Sequence, residues 1–296
     1  MRLWAALAMP LLLLLLGAAA PADDRYVLDD THVVNWETRD HARQFRLLIA
    51  LPRHFEIRSE SFPVIYLLDA DYSFAITRNV LRHFTDRSQL HDAVIVGIAY
   101  PGAEEDMTVY LRNRTHDYTP TKAAGGYGPE IDALSGGAGD FLKILSDELL
   151  PAIDARYHTD PNARMLVGHS YGGLFATYAM LTRPGLFRDY IVVSPSYWYD
   201  DRMMFGLARD YIAKHDTLTA NVFYGVGAYE SGGAMADDMK AMDALFTGAG
   251  LKGYHSTLKV FDGETHNSVF PSAVTRGLRT LFDFAGENQP TVVPHT

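Results

Sequence analysis

The 296-residue chain is 48% apolar, 12% aromatic and 21% charged, which is typical of a folded globular protein and excludes a disordered or fibrous one. Acidic residues outnumber basic ones by 36 to 26, and the formal net charge of −10 argues against a nucleic acid as the main partner. Cysteine is absent, which excludes disulfides, thiolate metal sites and a cysteine nucleophile.

Residues 1–22 are predicted to be a secretory signal peptide. They combine an early charge at Arg2, an apolar run from Leu3 to Leu16 and small residues before an acidic start. Cleavage after Ala20 would leave a proline as the first residue, so we favour cleavage after Ala22. The alternative is an uncleaved anchor, but the apolar run is short against the roughly 20 residues that a membrane span needs. We therefore expect a periplasmic or secreted protein.

The remaining chain, residues 23–296, is predicted to be one α/β domain. Two strands with alternating apolar positions fall within residues 31–51, and the segment 101–138 reads as a long excursion rich in glycine, proline, threonine and charge. Further strands are predicted at 63–68, 93–98, 165–167, 190–193, 222–224 and 255–261, and helices at 74–84, 140–157, 174–181, 201–214, 235–246 and 269–284. This alternation predicts a mostly parallel sheet with helices on both faces.

The strongest chemical signal is the sequence Gly-His-Ser-Tyr-Gly-Gly at residues 168–173, which matches G-x-S-x-G. It directly follows an apolar strand and directly precedes a helix, which is the context of a nucleophile elbow. The glycines relieve backbone crowding, and the tight turn lifts the hydroxyl of Ser170 clear of the sheet. We predict Ser170 as a nucleophile and the N–H of Tyr171 as one donor of an oxyanion hole.

A serine nucleophile needs a base, which in this arrangement follows the last strand. Four histidines lie downstream of the elbow: His215, His255, His266 and His295. His266 lies in a turn just past the final predicted strand, whereas the others end a helix, begin a strand or lie in the tail. His266 is therefore the predicted base.

The acid that orients His266 is expected after strand 222–224 or one strand earlier. Glu230 has that place and is the predicted acid, with a polar loop residue or a substrate contact as its alternative roles. Asp262 and Glu264 lie too close to His266 in sequence to orient it easily. Other carboxylates near the two strand ends are Asp200, Asp201, Asp237 and Asp238.

The second donor of the oxyanion hole is expected from the loop after strand 63–68. This position points to the backbone N–H of Asp71, or less directly to that of Ala70. The carboxylate of Asp71 must then turn away from the developing negative charge. Tyr72 and Phe74 follow, and either wall the acyl pocket or belong to the core.

Beside the elbow, three stretches resemble a known family: Tyr66–Asp69, Arg112–Pro120 and Ser194–Trp198. Together they are similar to the esterase branch of the α/β-hydrolase superfamily, over roughly residues 30–285. That branch includes esterases that open catecholate siderophore trilactones such as enterobactin and salmochelin. The resemblance implies an α/β-hydrolase fold and a serine carboxylic-ester hydrolase. One departure is Ala70, where relatives often have glycine.

The resemblance also implies that the excursion covers the active site. Arg112 and Arg114 are predicted to bind an anionic substrate, such as a ferric tricatecholate or a carboxylate; alternatively, one of them pairs with Asp117 and fixes the loop. Trp198 and Tyr229 follow strand ends on the same side and suit flat acyl or catechol groups, although core packing explains either one equally. Because no metal-ligand or cofactor motif is found, no metal or cofactor is expected.

These patterns predict a serine esterase that acts on a small-molecule ester, with no nucleic acid as partner and no membrane span after signal removal. A general short-chain carboxylesterase, an acyltransferase and a peptidase are alternative enzymes. A periplasmic binding protein on a hydrolase scaffold is the alternative without catalysis. The presence of both Ser170 and His266 argues against it, because a protein that only binds needs neither.

Overall fold

The computed structural model describes residues 26–230 and 234–282. The predicted signal peptide and the last two residues of the helix predicted at 269–284 lie outside this part of the chain. None of the helices in the described part is long and apolar enough to span a membrane.

Eight strands form one sheet at the centre of the molecule. They are β1 (Thr31–Glu37), β2 (Gln44–Ala50), β3 (Phe62–Leu67), β4 (Val94–Ala99), β5 (Thr159–His169), β6 (Asp189–Val193), β7 (Thr217–Gly227) and β8 (Lys252–Phe261). Their order across the sheet is β1-β2-β4-β3-β5-β6-β7-β8. The pairs β1/β2 and β2/β4 are antiparallel, and the other neighbours are parallel. The predicted mostly parallel sheet is confirmed.

Helices cover both faces of this sheet, as predicted. They are α1 (Ala70–Thr85), α2 (Met107–Tyr118), α3 (Pro129–Asp132), α4 (Ala138–Ile144), α5 (Leu150–Tyr157), α6 (Tyr171–Thr182), α7 (Tyr199–Lys214), α8 (Ala234–Ala249) and α9 (Val269–Leu281). Alternate side chains of a strand point to opposite faces. Ile65 and Leu67 of β3 accordingly belong to the apolar core beneath α1 and α9. Tyr66 belongs to the core on the other face, with α4 to α8.

Two helical regions differ from the prediction. The excursion contains α2, a helix without an apolar stripe, whose buried residues include Arg114, Thr115 and Asp117. The single helix predicted over 140–157 is divided by a π-helical turn, Leu145–Leu149. Pro151 has no N–H to donate to the carbonyl of Asp147, which instead accepts a hydrogen bond of 3.2 Å from the guanidinium of Arg39.

Candidate active site

The serine of the elbow lies between β5 and α6 in a strained backbone conformation. Ser170 has φ 60° and ψ −117°, a combination that side-chain-bearing residues rarely adopt and that is common at functional sites. The turn is so tight that a Cβ on Gly168 would lie 2.2 Å from the carbonyl oxygen of Gly172. Because Ser170 precedes α6, the N–H of Tyr171 has no acceptor within the helix and is available at the serine.

A second serine contacts this hydroxyl. The Oγ atoms of Ser170 and Ser196 are 3.2 Å apart, and Ser196 is buried. The backbone N–H of Ser196 also donates to the carbonyl of Ser170, at 3.1 Å. In the described part of the chain the hydroxyl of Ser170 makes its hydrogen bond to Ser196 and not to His266. Such serine–histidine bonds are often long before substrate binds.

The predicted base and acid are hydrogen-bonded to each other. Nδ1 of His266 lies 2.8 Å from Oε2 of Glu230, whose side chain is fully buried. The other carboxylate oxygen accepts hydrogen bonds of 2.6 Å from the hydroxyl of Ser194 and the N–H of Gly227. Burial raises the pKa of Glu230, but the bonds from His266, Ser194 and Gly227 outweigh it and hold the pKa below its ordinary value. A charged carboxylate therefore faces the imidazole.

A buried ion pair stands beside the elbow. Arg114 of α2 donates to both oxygens of Asp69, at 2.9 and 3.1 Å, and the two side chains are almost completely buried. The hydroxyl of Tyr110 donates to the same carboxylate at 2.8 Å. Burial disfavours the charge on Arg114, but Asp69 outweighs this and holds the pKa of the guanidinium well above its ordinary value. Arg114 therefore stays protonated, and the carboxylate of Asp69 balances its charge.

Ser170, His266 and Arg114 line one cavity of about 410 Å³. Its other lining residues are Tyr72, Ile76, Tyr110, Tyr127, His169 and Asn267. Burial raises the pKa of each of the three lining tyrosines, so their hydroxyls stay protonated. The cavity is therefore walled by aromatic rings, hydroxyl donors and the guanidinium of the Arg114–Asp69 ion pair.

Of the other predicted residues, Asp71 has an exposed side chain in the first turn of α1, next to the cavity residue Tyr72. Its backbone N–H stays a predicted donor of the oxyanion hole. Arg112 is exposed on the other side of α2, where it lines a different cavity with Arg43 and His116. Asp117 pairs at 2.8 Å with Arg43, and not with either arginine of the predicted pair.

The two predicted aromatic contacts are exposed and do not line the cavity of Ser170. The ring of Trp198 lies 6.0 Å from that of Tyr171, the residue that follows the nucleophile. Tyr229 is 67% exposed. Their binding roles remain predictions.

Sequence reasoning assigned no role to several residues that complete the site. Asp69 and Ser194 were visible only as members of two stretches that resemble the family. Tyr110 and Tyr127 lie in the excursion, where no periodic pattern marks them. Among the described residues, no group of three or more histidine, aspartate or glutamate side chains is arranged to hold a metal ion.

The strand–serine–helix elbow on a mostly parallel eight-stranded sheet defines an α/β-hydrolase. The family described as "Putative esterase" matches residues 40–280, and the chain belongs to it. The protein is accordingly a hydrolase of ester bonds.

Individual relatives extend this comparison. The ferri-bacillibactin esterase BesA of Bacillus subtilis is 28% identical over 265 residues, which cover 86% of this chain and 90% of the relative. The siderophore triacetylfusarinine C esterase of Aspergillus fumigatus is 30% identical, over 82% of this chain and 90% of the relative. The crystal structure of an IroE-like serine hydrolase from Shewanella oneidensis superposes with a TM-score of 0.75 at 29% identity, and covers 85% of this chain and 80% of that chain.

Proposed function

We propose that this chain is an exported serine esterase that cleaves the ester bonds of a siderophore, with Ser170, His266 and Glu230 as its catalytic triad. The observation that carries the triad is the hydrogen bond of 2.8 Å between His266 and a buried Glu230, beside the strained Ser170. A histidine oriented by a charged carboxylate next to an elbow serine is the arrangement that activates a hydroxyl.

The reaction proceeds in two halves. Nε2 of His266 takes the proton of Ser170 as its Oγ forms a bond to the ester carbonyl carbon. The bond from that carbon to the alcohol oxygen then breaks, and His266 returns the proton to the departing alkoxide. Water, deprotonated by His266, attacks the acyl-serine, and the acid leaves as Ser170 recovers its proton. Glu230 keeps Nδ1 oriented throughout and stabilises the imidazolium.

The negative charge on the carbonyl oxygen is stabilised by the backbone N–H groups of Tyr171 and Asp71 and by the guanidinium of Arg114. Arg114 is added to the two donors that the sequence predicts, because it lines the cavity of Ser170. Its charge is held in place by Asp69 before substrate arrives, so little reorganisation is needed at the transition state.

The substrate class follows from the relatives and from the cavity. Two relatives that align over most of this chain are esterases of ferri-bacillibactin and of triacetylfusarinine C. The wall of tyrosine rings and the cation of Arg114 suit an aromatic or anionic iron chelator.

This substrate is tested by incubating the purified protein with ferric bacillibactin, with triacetylfusarinine C and with short-chain nitrophenyl esters, followed by mass spectrometry. We expect ring-opened and fragmented siderophore products, each gaining the mass of water per cleaved ester. Cleavage of the nitrophenyl esters alone would leave a general carboxylesterase. Products that incorporate an added alcohol in place of water would indicate an acyltransferase.

The proposal that the protein is exported is based on its leader sequence. Residues 1–22 have the charge, apolar core and small residues of a signal peptide, and residues 23–296 form the mature single domain. We expect amino-terminal sequencing of the protein from the exported fraction to begin at Asp23. A chain that starts at Met1 and sediments with membranes would instead indicate an uncleaved anchor.

A further inference from the structure

The proposed mechanism leaves one buried titratable side chain of the cavity unused. His169 immediately precedes the nucleophile and is only 8% exposed. Its Nδ1 lies 2.8 Å from the hydroxyl of Tyr72. Its other ring nitrogen, Nε2, is buried and makes no hydrogen bond of good geometry among the described residues, although the backbone of His266 lies close enough to act on the ring. A buried imidazole so weakly paired at one nitrogen calls for a physical explanation.

The ring of His169 packs against that of His266 in a tilted arrangement. The ring centroids are 4.5 Å apart and the planes are inclined by 34°. Glu230 fixes His266 through Nδ1 alone, and a single hydrogen bond leaves the imidazole free to pivot about that contact. The ring of His169 removes this freedom, because such a pivot of His266 would separate the two packed rings.

The groups around His169 keep it uncharged. The hydroxyl of Tyr72 on α1 contacts the ring of His169, and Arg114 on α2 lies within electrostatic range of it. His266, in the loop after β8, packs on the same ring, and the ring of Phe270 on α9 is 6.0 Å away. Burial, followed by the charges of His266 and Arg114, outweighs a hydrogen bond with the backbone of His266 and holds the pKa of His169 well below its ordinary value. A neutral ring does not repel the positive charge that His266 acquires during catalysis, whereas a second imidazolium at this distance would.

We propose that His169 is a positioning residue for His266: a neutral ring, anchored by Tyr72, that fixes the plane of the catalytic imidazole while Glu230 fixes its Nδ1. This inference rests on the proposed function, in which His266 is the base. It assigns the role to the ring face of His169 and not to its Nε2.

The test measures how fast each variant of the protein reacts with a fluorophosphonate probe, which labels only an activated serine and needs no knowledge of the substrate. His169→Ala removes the ring, and His169→Phe keeps an aromatic face without nitrogens. We expect labelling to slow by about 10- to 100-fold in His169→Ala, a part of the 10²- to 10⁴-fold that a positioned base contributes. In His169→Phe we expect it to recover to about 3- to 10-fold below wild type, because this variant keeps the ring face and loses only the anchor to Tyr72.

A matched control and a second variant show whether slower labelling reflects the lost contact with His266 or a loss of the fold. His215 stacks on Tyr211 at 4.4 Å, away from the cavity, so His215→Ala removes a comparable stack and should label at the wild-type rate. Tyr72→Phe deletes only the hydroxyl that anchors His169, and we expect its labelling to slow by about 3- to 10-fold with an unchanged melting temperature. Tyr72→Phe tests the positioning role if His169→Ala does not fold.

The outcomes separate this inference from the proposed function. Wild-type protein that does not react with the probe would contradict the serine mechanism itself. Reactive wild type together with wild-type rates in folded His169→Ala or in Tyr72→Phe would overturn the positioning role. If His169→Phe is as slow as His169→Ala, the nitrogens matter and not the ring face, and the proposal is wrong.

Discussion

Replacement of Ser170 by alanine is expected to lower the rate of ester cleavage by about 10⁴- to 10⁶-fold, while the fold stays intact. The loss is large because the acyl-enzyme path disappears and only the oxyanion donors and substrate binding remain. Alanine keeps the Cβ and removes a hydroxyl whose hydrogen bond is to Ser196. Product formation by mass spectrometry and thermal unfolding, measured together on the variant and the wild type, check this prediction.

Two further variants show whether the loss of activity is specific to the hydroxyl of Ser170. Ser196→Ala removes the hydroxyl that contacts Ser170 at 3.2 Å but no proposed catalytic group, and it should change the rate by less than about tenfold. Glu230→Gln keeps the shape of the acid and should lower the rate by about 10²- to 10⁴-fold, less than Ser170→Ala. Residual cleavage near the wild-type rate in Ser170→Ala would rule out this serine as the nucleophile.

The second large effect is expected at the buried cation. Arg114→Gln should lower kcat/KM by about 10²- to 10³-fold, the size of effect seen when a single oxyanion donor is lost. The physical reason is that the guanidinium lies in the same cavity as Ser170 and is held by Asp69 before substrate binds. Steady-state kinetics on a nitrophenyl ester measure the change, and most of it should fall on kcat.

A fold control is needed here, because removal of Arg114 alone leaves the carboxylate of Asp69 buried without its cation. The double variant Asp69→Asn with Arg114→Gln removes both charges and should recover thermal stability without recovering activity. Arg112→Gln offers the comparison from the other side of α2 and should leave kcat within about twofold. Equal losses in both single arginine variants would favour the sequence prediction that the two arginines bind substrate together.

Short-range sequence patterns predicted the order of the elements and the positions of Ser170 and His266. Each depends on a few consecutive residues: glycines around a serine between a strand and a helix, and a histidine just after the last strand. Runs of apolar residues likewise mark buried strands without reference to distant partners. These features could be predicted because the physical cause and its sequence signal lie in the same segment.

The helix α2 was missed for the opposite reason. It buries Arg114 and Asp117, residues that pattern analysis assigns to the surface. Their burial depends on Asp69, 45 residues before Arg114, and on Arg43, 74 residues before Asp117. No local periodicity reports such pairings, so the segment reads as an irregular excursion.

By itself the sequence determined the α/β alternation, the elbow and the histidine after the last strand. The sequence also predicted Glu230 as the carboxylate against His266, from its place after a strand end. Tertiary structure alone decided which arginine enters the cavity of Ser170 and that His169 packs on His266. The physical reason is the cost of burying charge and polar groups. A buried charge is stable only where groups from other segments pair with it or donate hydrogen bonds to it, and these contacts exist only in the folded chain.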